Sequence, residues 1–352
     1  MRGRGGTLLM DAIVLSDRAA VDELRCAIAA RQTLVEPRVV REAAEWQVTG
    51  GEGAFDWTAA PPLSGAKPWF FPPREPLLRW DVAAEPRESV PAVAPFALFG
   101  LRACDLAAIA HQDQFFARDP WYAARRAAAF LVGLDCVTAC PGGFCVEVGA
   151  GPFARAPYDL DLTALPDDRV VVAWGSVAGK AVLEAAGLPA EPADDGIALA
   201  LGEVAVAGAA SFPVRPFVAR GLARLNAAPT AAAIADEEWQ ALGPSCLACT
   251  GCTSLCPTCS CFTVVDEVDP DGGTRVRLWD SCLLEGFQRE TSGHHPAPRP
   301  GDRVRRFWYH KLSRDFAPDF GRIGCVGCGR CDVTCPGTIG ALRVLAALGK
   351  ER

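Results

Sequence analysis

The sequence predicts an α/β domain with a mostly parallel sheet over residues 1–235, followed by a largely helical, cysteine-rich domain over residues 236–352. Three observations carry this. The chain has 352 residues, half of them hydrophobic, enough for two or three domains with sizeable cores. Through the first half, short apolar runs alternate with segments of helical spacing, as in successive βαβ units. From about residue 236 strand signals become scarce and cysteines cluster.

Taken in order, "DRAAVDELRCAIAARQ" places apolar residues at helical spacing after Ser16, a candidate N-cap. Cys26, alone among alanines, reads as plain core. "TLVEPRVV" predicts a short strand, and residues 48–75 are irregular, rich in Gly, Pro and Trp. "FALFGL" (96–101) is strand-like and runs into the helix-like "DLAAIAHQDQFF" (105–116). "AFLVGLDC" (129–136) and "RVVVAWGS" (169–176) are further strands, the latter leading into the helical "VAGKAVLEAAG". The turn "WGSVAGKA" lacks the four-residue gap and the Ser or Thr after Lys180 that a phosphate-binding loop needs. It reads as an ordinary strand-to-helix turn. Residues 188–230 are rich in Ala, Pro and Gly and carry no clear period.

Composition narrows the function. With 35 basic against 42 acidic residues, nothing pulls the whole chain toward nucleic acid or an anionic membrane. At the start, Asp11 interrupts the apolar stretch and no small-residue cleavage site follows, so no secretory signal is expected. Residues 1–9 precede the readable pattern and are expected to be dispensable. The stretch "IALALGEVAVAGAA" is cut by Glu203 and is too short to span a membrane. A cytoplasmic protein is the expectation, and sixteen cysteines in a reducing compartment point to metal ligands or redox chemistry rather than disulfides.

The cysteine spacing is specific. Cys246-x2-Cys249-x2-Cys252-x3-Cys256-Pro257 is repeated as Cys325-x2-Cys328-x2-Cys331-x3-Cys335-Pro336. In this bacterial ferredoxin run, three thiolates wrap one cubane and the fourth reaches the other. Cys246, Cys249, Cys252 and Cys335 are therefore assigned to one [4Fe-4S] cluster, and Cys325, Cys328, Cys331 and Cys256 to a second. Zinc would favour paired C-x2-C knuckles with a longer spacer. Glycines at 251, 327 and 329 suit loops that fold closely around a cluster. The second domain is thus expected to be a dicluster, ferredoxin-like one.

Two cysteine groups remain. Cys104 follows one predicted strand, and Cys136, Cys140 and Cys145 follow the next, at the sheet edge where open α/β folds bind ligands. Four thiols converging there are one cluster's worth, and they point to a third [4Fe-4S] centre. The plainer alternative is buried apolar thiols, which the loop "CPGGFC" disfavours. Cys259, Cys261 and Cys282 could form a further metal site with a non-cysteine ligand, or could simply surround the neighbouring centres.

With these motifs in view, the chain resembles the iron–sulfur β subunits of cytoplasmic nickel–iron hydrogenases of the sulfhydrogenase type, which are related to the A subunit of anaerobic sulfite reductase. The resemblance covers nearly the whole chain through "FFPPREPLLR" (70–79), "GLRACDLAAI" (100–109), "GPFARAPYDLDLT" (151–163), "CLACTGCTSLCPTCSCFTVVDEV" (246–268), "WDSCLLEGF" (279–287), "GHHPAPR" (293–299), "HKL" (310–312) and the last ferredoxin run. It departs from the family pattern at "GGFC", where Gly143 stands in place of the first cysteine of a "CFC". The resemblance implies an electron-transfer subunit between a flavin subunit that handles NAD(P)H and a catalytic subunit with a nickel–iron site. A sirohaem site is the alternative.

The residues themselves suggest no catalytic group. There are four histidines, His111, His294, His295 and His310, and no triad or paired carboxylates, so hydrogen or sulfite chemistry, flavin and nickel all belong on other chains. Two rival classes are weaker. A self-contained flavin or NAD enzyme would need a G-x-G-x-x-G after a strand, which is missing. A nucleic-acid binder finds support only in "DRVRRFWYHKLSRDF" (302–316), where basic and aromatic residues interleave.

Overall fold

The computed structural model describes residues 11–57, 60–155, 157–227 and 234–350; the expectation for residues 1–9 lies outside them. Strands are numbered in chain order. The described residues divide into two compact units. One lies within Met1–Ala66, Val93–Ala110 and Arg126–Pro213, the other within Lys67–Ala92, His111–Arg125 and Val214–Arg352. This differs from a single cut at 236, because strands near residues 80 and 275 pair with each other.

The first unit holds eight strands: β1 (Ala12–Leu15), β2 (Thr33–Val40), β3 (Ala43–Thr49), β6 (Phe96–Leu101), β7 (Ala129–Leu134), β8 (Leu160–Ala164), β9 (Val170–Trp174) and β10 (Ala190–Pro192). Their order is β10-β1-β9-β8-β7-β6-β2-β3. Only β2–β6, β6–β7 and β7–β8 are parallel; the other four pairings are antiparallel. The sheet is mixed rather than mostly parallel. The physical reason is a pair of hairpins: β2 returns as β3 through Arg41 and Glu42, both at positive φ, and β8 returns as β9 through a short turn ending near Asp168. A two-residue turn with both φ values positive matches strand twist, yet Arg-Glu does not announce it as Asn-Gly would.

Both faces of this sheet are covered. Along β9, Val170 and Val172 join one core with Leu15, Leu24, Ile28 and Leu183, while Val171 and Ala173 join another with Ile197 and Val204. Alternate side chains of a strand point to opposite faces, so a fully apolar strand needs a layer on each side. The helices Ala19–Ala29 and Val177–Ala186 cover the first face and Asp195–Ser211 the second. Ser16 does not cap the first helix; Asp17 does, its Oδ1 accepting from the Ala20 N–H at 3.0 Å. Cys26 is exposed, not core. Ser176 accepts from the Gly179 N–H at 3.0 Å, so "WGSVAGKA" is an ordinarily capped strand-to-helix turn.

The second unit adds a four-stranded antiparallel sheet, β11-β12-β4-β5, of β4 (Arg74–Asp81), β5 (Arg87–Glu88), β11 (Phe262–Asp269) and β12 (Gly272–Trp279). The unit is therefore not simply helical. β11 escaped sequence reading because it is exposed along nearly its whole length and carries no apolar alternation. The sheet is locked by Glu75, whose carboxylate accepts from both Arg125 and Arg277, while Arg277 also binds Asp119. Helices Pro216–Leu225 and Ala341–Leu348 cross closely at Gly221. Among the described residues no single helix is long and apolar enough to cross a membrane.

Candidate iron–sulfur centres

Both ferredoxin runs fold alike. Each has two residues at positive φ between its cysteines, Ala248 and Thr250 in the first and Gly327 and Gly329 in the second. Each then enters a short helix, Gly251–Leu255 or Arg330–Thr334, and these two helices pack on each other. The left-handed positions let the loop curl so that three thiols face one side. Gly251, expected to serve this purpose, instead opens the helix, and the non-glycine residues Ala248 and Thr250 carry the turn.

Thiols of the two runs stand close together. Cys246, Cys249, Cys252 and Cys335 line one cleft together with Leu283, Val304, Phe307, Trp308 and Ile339. Burial, then the thiols of Cys256, Cys246, Cys335 and Cys249, push Cys252 up to about 12. Cys325 is likewise pushed up to about 12, by burial and then by Cys328 and Cys256, and Cys331 is raised by burial, Asp332, Cys325 and Cys328. Backbone N–H groups point at sulfur, Gly327 to Cys325 Sγ and Ile339 to Cys335 Sγ, each at 3.3 Å. Phe307 and Trp308 are buried, so these two aromatic residues of "DRVRRFWYHKLSRDF" offer no platform for bases.

Cys256 is one of two acidic thiols here. A hydrogen bond from Cys259, then Lys311 and Thr258, hold it well below the ordinary value, and Cys259 is raised in turn. Cys261 is lowered to about 6, first by its hydrogen bond with Cys282, and Cys282 is raised. Burial alone would lower the Lys311 ammonium, but Cys256, Cys259 and Cys261 more than reverse this. Gln112 fixes the loop from behind, donating to the carbonyls of Pro257 at 3.1 Å and Cys259 at 3.3 Å. Sequence reading missed Lys67, Gln112 and Lys311, since nothing in a sequence marks a lysine or glutamine as buried.

In the first unit, Cys104 lies in the first turn of the helix Ala103–Phe115, after β6, and Cys136 follows the parallel neighbour β7. Asp135 holds the loop back on itself, accepting from the Ala154 N–H and the Thr163 hydroxyl, both at 2.7 Å. Burial raises Cys136 to about 11 and Cys145 to about 12, with Cys136 and Cys140 adding to the latter. Two glycines leave room for the sulfurs. A β-carbon on Gly143 would stand 2.6 Å from Cys140 Sγ, and one on Gly151 would stand 2.7 Å from Cys145 Sγ and 3.7 Å from the β-carbon of Ala103.

The donor sets fit a cubane better than a single ion. Zinc draws its sulfurs to about 2.3 Å from one atom, whereas a cubane spreads four thiolates over four irons. Residues 245–339 accordingly match the 4Fe-4S dicluster domain, which defines the class. The chain is 32% identical over 285 residues to Sulfhydrogenase 2 subunit beta of Pyrococcus furiosus, a match covering 79% of this chain and 81% of that one. The chain belongs to the family of sulfhydrogenase beta subunits. No solved structure matches it.

Proposed function

We propose that the chain is a cytoplasmic electron-transfer subunit that takes part in a nickel–iron hydrogenase complex. It would pass electrons between a flavin subunit that handles NAD(P)H and the catalytic core. The observation that supports this is the cleft in which Cys335 of the second run stands with Cys246, Cys249 and Cys252 of the first, while Cys256 acts on Cys325 of the second run as well as on Cys252. On this reading Cys335 joins the first set and Cys256 joins Cys325, Cys328 and Cys331. These eight thiols would hold two [4Fe-4S] clusters, and Cys104, Cys136, Cys140 and Cys145 a third. Such clusters supply one-electron storage and transfer when bound. The protein's own part is to hold thiolates, aim N–H groups at sulfur and exclude water.

Cys259, Cys261 and Cys282 stay outside the ligand set, because they pair with Cys256 and with each other beside buried lysines. Flavin, nickel and the hydrogen chemistry are assigned to partner subunits, and the relative's name favours a hydrogenase core over a sirohaem one.

Anaerobic reconstitution of the chain alone, followed by iron analysis, tests the reading. About twelve irons per chain are expected from three four-iron centres, falling to about eight with serine at both Cys136 and Cys145. Zinc in place of iron, or flavin absorbance released on unfolding, would overturn it.

A further inference from the structure

The two cysteine sets are alike in spacing and backbone but not in surroundings. The cleft of Cys246, Cys249, Cys252 and Cys335 is lined by apolar side chains, with no lysine or arginine among them. Around Cys256 the situation reverses. Lys311, 3% exposed, donates its Nζ to the Thr258 carbonyl at 3.0 Å and to Thr258 Oγ1 at 3.1 Å. That hydroxyl oxygen stands 3.3 Å from Cys256 Sγ, and the Cys259 thiol bonds the same sulfur. Lys67, 6% exposed, donates to the Thr253 carbonyl at 3.1 Å and lies 3.7 Å from the centre of the Trp279 ring. Among the described residues neither lysine meets a carboxylate.

Burying two ammonium groups without a carboxylate costs several kcal/mol each unless another anion faces them. The groups they face are the sulfurs of Cys256, Cys259 and Cys261. Two acids stand near these sulfurs, Asp332, whose Oδ2 is 3.6 Å from Cys331 Sγ, and Asp280, which acts on Cys261, while Arg322 donates to the Cys325 carbonyl at 3.0 Å. Two carboxyls against two ammonium groups and one guanidinium leave the balance positive. Reduction adds a negative charge, so positive charge and hydrogen bonds to ligand sulfur favour the reduced form and raise the potential.

We infer that Lys311, assisted by Lys67 and the Cys259 thiol, sets a higher reduction potential at Cys256, Cys325, Cys328 and Cys331 than at Cys246, Cys249, Cys252 and Cys335. An electron that enters this domain then rests at the former set. The inference depends on both sets holding [4Fe-4S] clusters, as proposed above.

The test is a redox titration of the reconstituted full chain, followed by electron paramagnetic resonance, on wild type, Lys311→Met, Lys311→Arg, Lys67→Met and Cys259→Ala. Cys335→Ala identifies which signal belongs to the apolar cleft. In the wild type the Cys256 set should reduce first. Lys311→Met should move its potential down toward that of the other set, Lys311→Arg should retain the wild-type order, and Lys67→Met and Cys259→Ala should shift the same signal in the same direction. If Lys311→Met loses iron, the last two variants carry the test. Full iron content with potentials unchanged in the charge-removing variants overturns the inference and leaves the proposed function standing. Failure of the wild type to assemble four-iron centres at these sites overturns both.

Discussion

Gly337 lies directly against the carbonyl oxygen of Ser245: a β-carbon at 337 would stand 1.9 Å from that oxygen and 4.0 Å from Cys335 Sγ. Ser245 precedes the first ligand of one run and Gly337 follows the last cysteine of the other. Their approach is what lets Cys335 reach the opposite set. Gly337→Ala is expected to force the two loops apart and to abolish the centre held with Cys246, Cys249 and Cys252. Iron per chain should fall by about four, with the other spectroscopic signals intact. A full iron complement in this variant would show that the loops yield without losing the site.

The proposed exchange of ligands between the runs makes a second prediction. Cys335→Ala should remove the signal of the set around residue 250 and spare that of Cys325, Cys328 and Cys331, its nearer neighbours in sequence. Loss of the latter instead would mean that each run serves its own cluster.

Glu75 is 1% exposed and binds two arginines. Glu75→Gln removes the anion and leaves buried guanidinium charge uncompensated, which costs about 3–5 kcal/mol. Chemical denaturation followed by tryptophan fluorescence should show a loss of that size. A change below about 1 kcal/mol would mean that Asp119 alone suffices for Arg277.

His111 is buried against Phe320, ring centres 4.3 Å apart. Burial, then Lys311, Arg322 and His310, hold it down at about 3; His310 is held at about 4, by burial and Lys311. Both are neutral in the folded chain at neutral pH. A group whose folded value is depressed stabilises the fold above its unfolded value, about 6.5, and that contribution fades as pH falls toward 3–4. His111→Phe, which keeps the ring, should therefore shift acid unfolding to lower pH. An unchanged acid midpoint would remove His111 from the account.

The dicluster domain was legible because a ferredoxin run is a local signal: four thiols and a proline at set intervals declare themselves without tertiary information. The loops were only half legible, since Ala248 and Thr250 adopt a conformation that sequence reading reserved for Gly251. Apolar strands such as β6 and β9 could be found, being buried on both faces. β11 could not, because a charged strand exposed to water looks like a loop. Parallel pairing was over-assigned for want of turn chemistry at Arg41–Glu42. Lys67 and Lys311 were out of reach, because burial of a cation is decided by what folds around it.

The pairing of β4 with β12 has a consequence for how the chain is made. The last residue of β4, Asp81, and the first of β12, Gly272, are partners in the sheet, yet 272 − 81 = 191 residues of chain separate them. At about 5–20 residues per second of synthesis, β4 leaves the ribosome roughly 10–40 s before its partner exists. Through that interval Glu75 has no Arg277 and Phe71 has no Trp279 to pack against. The nascent chain thus carries an open strand edge beside an unsheltered aromatic cluster, the kind of surface that chaperones recognise and that associates with other chains when expression outruns them.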